Sequence, residues 1–228
     1  MNKNLNQTNQ ISNLKRLTAT ALVIACCLIF APASASAAKV SSSIPWGKVV
    51  YNGYGKVSWN NLSKTLYMAP KASTEQSETH AALVVSNQTL KQPYQVSFTM
   101  NTIKQLRTGS APNPWEVGWF GFGYKPDGKF KYVILKPNGY GVEIGESLLN
   151  DQQNFSYTSP LNQDIFNLNT KYNVVVKVQD NVITLTVNGK PYVAYTMSAK
   201  DTLTADGQYA FYTEDAEATF SNILATQL

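Results

Sequence analysis

Arg107, Trp115, Glu116, Trp119, Lys136 and Glu143 are the side chains of this sequence whose types and spacing could hold a polar ligand with flat apolar faces. The chemistry they could perform is bounded by what accompanies them. His80 is the only histidine, which excludes an H-E-x-x-H zinc site and any centre built on several histidines. A Ser-His-Asp triad would have to use His80. That residue opens the apolar stretch Thr79–Val85, and no G-x-S-x-G turn lies nearby, so a packed or capping histidine is expected. Glycoside hydrolysis usually needs two carboxylates about 5–10 Å apart. Glu116, Glu143 and Glu146 are the candidates. Glu143 and Glu146 stand three apart, so in a strand they point to opposite faces. Glu116 with Glu143, across neighbouring strands, is the remaining pair, and a structural ion pair or a ligand contact is the expected role for each.

Arg107 is the only arginine after Arg16, and it precedes the corner Ala111-Pro112-Asn113-Pro114-Trp115. A planar guanidinium suits bidentate pairing with a carboxylate. It is expected to organise the site by locking Glu116 or another acid, or else to meet an acidic ligand. Trp115, Trp119, Phe120, Phe122, Tyr124, Tyr132 and Tyr140 crowd three consecutive segments. Alternation puts Trp115, Val117, Trp119, Gly121 and Gly123 on one face of a strand, with Glu116, Phe120, Phe122 and Tyr124 on the other. One row must be core and one can face a ligand; periodicity does not say which. Acidic and amide groups gather at Glu214, Asp215 and Glu217 and at Asn150, Asp151 and Asp164. Calcium takes about six to eight oxygens, so these permit a structural calcium without an EF-hand loop.

The elements that must position these residues are strands. Tyr, Val, Thr, Phe and Trp are abundant, turn signals recur at short intervals, and no stretch carries a 3.6-residue apolar period. Strands are expected at 47–51, 54–59, 64–69, 80–86, 94–102, 117–124, 130–136, 140–146, 172–178, 182–187, 191–197, 208–213 and 216–225. Asp180-Asn181 and Asn188-Gly189 turn residues 172–197 into a three-strand meander, because both central residues of a type I′ turn need positive φ. Residues 147–169 are rich in Asn, Gln, Asp and Ser and read as a long loop, a common seat of binding function. About a dozen short strands without helices means an all-β sandwich or barrel.

The N-terminus reads as a secretory signal peptide over 1–37. Lys3, Lys15 and Arg16 precede the apolar run Leu17–Phe30, and Ala35-Ser36-Ala37 supplies the small residues of a cleavage site. Val23-Ile24-Ala25-Cys26 offers a competing lipid attachment at Cys26, but the chain stays apolar after it where a lipoprotein leaves into a polar tether. Cleavage removes both cysteines, Cys26 and Cys27, so the domain at 38–228 has no disulfide and no thiolate metal site. It also removes three cations and no acid, and the formal charge falls from +5 to +2. The basic balance of the whole chain is therefore no argument for nucleic acid. No later segment is long and apolar enough for a transmembrane helix.

The segments NPWEVGWFGFGY (113–124), FKYVILKPNGYGVEIGE (130–146), YNVVVKVQDNVITLTVNGKPY (172–192) and GQYAFYTEDAEATFSNI (207–223) follow one another in order. This succession resembles the concanavalin A-like lectin/glucanase superfamily, in the branch of laminin-G-like jelly rolls, 3-keto-disaccharide hydrolase domains and levan-binding modules. The resemblance implies an antiparallel two-sheet jelly-roll sandwich with a concave ligand face. Glucanases of the superfamily carry an E-x-D-x-x-E strand, and jelly-roll alginate lyases carry Q-I-H and Y-x-K-x-G-x-Y segments. None of these is intact here. The expectation is a secreted, lectin-like domain whose partner is a polysaccharide or glycan, bound without catalysis. Rings would stack on sugars, and the charged groups would hydrogen-bond hydroxyls. A polysaccharide-degrading glycosidase or lyase, and a matrix protein assembling through sheet edges or calcium, are the alternatives.

Overall fold

The computed structural model describes residues 43–137, 139, 141–148, 152–160 and 165–228. The signal peptide, Cys26, Tyr140 and the loop residues Asn150, Asp151 and Asp164 lie outside the described residues. Fourteen strands follow in order: β1 (Gly47–Tyr51), β2 (Lys56–Asn60), β3 (Thr65–Ala69), β4 (Ala81–Leu90), β5 (Tyr94–Gln105), β6 (Gly118–Tyr124) and β7 (Phe130–Lys136). Then come β8 (Gly141–Ser147), β9 (Gln153–Thr158), β10 (Tyr172–Gln179), β11 (Val182–Val187), β12 (Lys190–Thr196), β13 (Gly207–Glu214) and β14 (Ala216–Gln227). They form two antiparallel seven-stranded sheets, ordered β12-β11-β10-β5-β14-β3-β2 and β1-β4-β13-β6-β7-β8-β9. The expected all-β jelly-roll sandwich is the observed architecture. Among the described residues no helix is long and apolar enough to cross a membrane.

Alternation in the first sheet is clean because one face is wetted. In β5, Tyr94, Val96, Phe98 and Met100 are buried while the residues between them are half-exposed. The meander β10–β12 pairs as its turns dictate. Asp180, Asn181, Asn188 and Gly189 all have positive φ, at 51°, 62°, 50° and 78°. At Gly189 a Cβ would meet nothing within 4 Å. Gly189→Ala therefore tests backbone preference alone. It is expected to lower stability by about 1 kcal/mol, read as a shift in urea midpoint at unchanged slope.

The second sheet is buried on both faces through β6 and β7 and almost all of β8. One face supplies the inter-sheet core. Phe120 and Phe122 of β6 and Phe211 of β13 meet Phe98 of β5 and Phe220 of β14, with ring centroids 4.9 Å apart for Phe98–Phe120 and 4.5 Å for Phe211–Phe220. The other face carries a second apolar layer of Leu83, Val85, Val117, Trp119, Phe130, Tyr132, Ile134 and Ala210. The Phe120 row thus packs against the first sheet, and the Trp119 row forms a second buried layer on the opposite face. Tyr124 departs from simple alternation and joins the Trp119 layer. The reason is Gly123, whose φ of 62° breaks the pleat, and whose Cβ would strike the Thr204 carbonyl at 2.5 Å.

Residues 147–169 are not wholly a loop, because β9 pairs with β8 along the sheet edge. Its sequence is polar because an edge strand buries little, which hid the alternation of Phe155 and Tyr157. Beneath it, Lys131 Nζ donates to Glu146 Oε1 and Asp201 Oδ1, both at 2.8 Å, with all three side chains buried. Glu146 also accepts from the Leu203 amide and from the Thr202 amide and hydroxyl. Burial pushes the Glu146 carboxyl up, but the Lys131 ammonium, Asn154 and the backbone amides outweigh it, leaving a pKa of about 2. This cluster pins the 198–206 segment across one end of the sandwich.

Candidate functional site

Trp119, Phe130 and Tyr212 of this second layer line a groove of about 1100 Å³. Every strand of the second sheet contributes to its lining: Tyr51 of β1, Ala81 of β4, Tyr212 and Glu214 of β13, Trp119 of β6, Phe130 of β7, Ser147 of β8 and Gln153 of β9. Seven strands at their usual spacing give a surface about 30 Å across. The walls are loops: Asn52–Tyr54, residues 76–80, and the corner bearing Arg107, Asn113 and Trp115.

The corner holds Trp115 up as a ring on the rim. Its carbonyl accepts the Trp119 indole N–H at 2.8 Å and the Val117 amide at 2.8 Å, so the floor tryptophan anchors the rim tryptophan. Trp115 is 43% exposed, Tyr51 43% and Tyr54 87%, while Trp119 is 1% exposed. Trp119 is clasped by Tyr132 and Tyr212, with centroids 4.6 and 4.8 Å away. The exposed rings are therefore the ones free to stack on a ligand, and Trp119 supports them from below.

Arg107 is the tie of the wall. Its Nε donates to Glu116 Oε1 at 2.6 Å, and its terminal nitrogens donate to Asp215 Oδ2 at 2.9 Å and to the carbonyls of Glu75 at 2.7 Å and Glu78 at 2.9 Å. Glu116 and Asp215 are fully buried. One guanidinium thus bonds the corner, the 75–78 loop and the β13–β14 turn together, the organising role expected of it. Asp215 is further held by the Ser73 hydroxyl at 2.5 Å and the His80 amide at 3.0 Å. Ser73 is buried, and its hydroxyl, which donates to Asp215, lies 3.3 Å from the His80 ring.

Glu116, Lys136 and Glu143 do not line the groove. Lys136 Nζ donates to Glu143 Oε2 at 2.7 Å, and the Tyr132 hydroxyl donates to Glu143 Oε1 at 3.0 Å. Glu116 and Glu143 are not on neighbouring strands. Glu116 precedes β6, Glu143 lies on β8, and β7 runs between them. Each is matched to its own buried cation, so they do not constitute a working acid pair. Of the expected residues, Arg107, Trp115 and Trp119 come together at the groove, and the other three are buried in ion pairs.

The carboxylate the groove does present is Glu214, which sequence reasoning weighed only as a calcium ligand. It receives the Tyr212 hydroxyl at 2.9 Å. Burial pushes its carboxyl up; Tyr212 opposes this, the charges of Asp215 and Glu116 add to it, and the pKa rests at about 7. Tyr212 and Glu214 stand two apart on β13, so alternation puts them on one face. Only the sheet order shows that this face is the groove. Tyr51 and Tyr54, which flank the turn Asn52-Gly53, were likewise not singled out. Glu214 is the sole carboxylate among the described lining residues. No group of three or more His, Cys, Asp or Glu side chains is arranged to hold a metal among the described residues. Asp215 is committed to Arg107, and Glu217 pairs with Lys104 at 3.3 Å.

No protein-family model matches the chain, and no curated protein matches it. Solved structures do. The carbohydrate-binding module CBM66 from Bacillus subtilis aligns at a TM-score of 0.57 and 11% identity, covering 80% of this chain and 96% of that one. The Lotus tetragonolobus seed lectin aligns at 0.50 and 8% identity, covering 81% and 94%. At such identities the likeness is one of architecture. The chain has the concanavalin A-like jelly-roll fold.

Proposed function

We propose that this is a secreted protein, processed after Ala37, that binds an extended glycan in the groove without cleaving it. The observation that carries the reading is the groove itself: exposed rings on the rim, a lining drawn from all seven strands, and a single carboxylate among the described lining residues. Trp115, Tyr51 and Tyr54 present flat apolar faces to sugar C–H surfaces, and Asn52, Asn113, Gln152 and Gln153 offer amides to hydroxyls. Trp119 and Arg107 act from behind, holding the rim and the wall. Glu116, Lys136 and Glu143 act through their buried ion pairs. The architectural neighbours include a carbohydrate-binding module and a lectin, which is consistent with this use of the fold.

Trp115→Ala is the cleanest test, because the ring is on the rim and its loss opens no core cavity. Binding on a glycan array, followed by calorimetry on the best ligand, is expected to weaken about tenfold or more at unchanged melting temperature. Binding indifferent to this substitution removes the groove as the site. No retention on any glycan removes the function.

A further inference from the structure

The charge of the groove narrows the ligand class, and this step rests on the glycan reading above. Arg107 is the only Lys or Arg side chain among the described lining residues. Its single positive charge faces two buried carboxylates, Glu116 at 2.6 Å and Asp215 at 2.9 Å, and its remaining N–H groups are spent on backbone carbonyls. The wall around it therefore has no positive charge to offer a ligand. The other ionisable groups of the lining are Glu214, His80 and the tyrosines Tyr51, Tyr54 and Tyr212. His80 Nε2 faces Glu78 Oε1 at 3.4 Å. Recognition of a carboxylate or sulfate ester normally uses an unshared guanidinium or ammonium, because desolvating an anion without a countercharge is costly.

We infer that the groove selects uncharged glycan chains and rejects uronate and sulfated ones, with Glu214 as the residue that sets the preference. A protonated Glu214 can donate to a sugar hydroxyl, and an ionised one can accept from it. A uronate carboxylate beside an ionised Glu214 meets like charge with no cation to relieve it. The buried Asp215 and Glu116, only partly offset by Arg107, extend the same sign of potential along that wall.

The experiment uses the processed protein on an array of neutral chains (β-glucans, fructans, mannans, xylans) beside polygalacturonate, alginate and sulfated galactans. It is run at pH 8 and physiological salt, with Glu214→Gln in parallel. Neutral chains are expected to bind at least tenfold tighter than any polyanion, and Glu214→Gln is expected to narrow that gap severalfold. A polyanion bound as tightly as the best neutral chain overturns the inference while leaving glycan binding intact. An unchanged gap in a folded Glu214→Gln protein overturns the role of Glu214. Silence on every chain, neutral and anionic alike, is the different result that removes the glycan reading itself.

Discussion

Arg107→Ala is expected to destabilise the protein by roughly 3–5 kcal/mol, because it strands Glu116 and Asp215 as uncompensated charges in a dry site. Both carboxylates are fully buried, and Glu116 keeps only the Asn113 amide at 2.8 Å once the guanidinium is gone. The substitution also frees the carbonyls of Glu75 and Glu78, so the 75–78 wall should loosen. Arg107→Lys retains the charge but cannot span three elements with one ammonium, and its loss should be smaller and still clear. Urea denaturation gives the stability. Hydrogen exchange gives the location, since amides around 73–80 and 215 should open before those of β5 and β10. Combining Arg107→Met with Glu116→Gln and Asp215→Asn removes the charges together and should recover part of the loss, as expected when the penalty lies in unpaired charge. A loss under about 1 kcal/mol for Arg107→Ala would mean that the wall is held by other contacts.

The second large effect is a dependence on pH. The Glu214 carboxyl has an ordinary value of 4.5 and is pushed up to about 7 in the folded protein, by burial first and then by Asp215 and Glu116. Between those two values the folded chain keeps a proton that the unfolded chain has released. Its contribution is therefore fully present below pH 4.5 and is lost as pH rises through 7. The span corresponds to roughly 3 kcal/mol. Gln mimics the protonated acid, so Glu214→Gln should match the parent at pH 4 and exceed it by up to roughly 3 kcal/mol at pH 8. Denaturant curves at the two pH values measure this directly, and parallel curves at both would refute it. The groups facing Glu214 are Asp215, Glu116, Arg107, Tyr212 and Tyr51. The tyrosines titrate far above this window, and Arg107 keeps its charge.

Much of the fold was legible locally. The meander from Tyr172 to Thr196 follows from apolar alternation and from two dipeptides that accept positive φ, both properties of adjacent residues. The inward row of β5 follows from one wetted face. The second sheet was harder to read. Phe120 and Trp119 are equally apolar and adjacent, and alternation divides them without saying which looks toward the other sheet. The turn at Gly123 then moves Tyr124 across, a conformational event that composition does not announce.

By itself, then, the sequence determined the class of fold and the strand count to within a few, and it named Arg107 and the rings around 115–119 as candidates. These depend on neighbours in the chain. The groove was decided by tertiary structure. Its wall joins Arg107 to Asp215, 108 residues on, and Ser73 to Asp215, 142 residues on. Its carboxylate, Glu214, lines the groove, whereas Glu116 and Glu143 each pair with a buried cation. Which acids are neutralised and which face a ligand depends on partners brought together by sheet order, and side-chain alternation along one strand carries no information about what lies across the sheet.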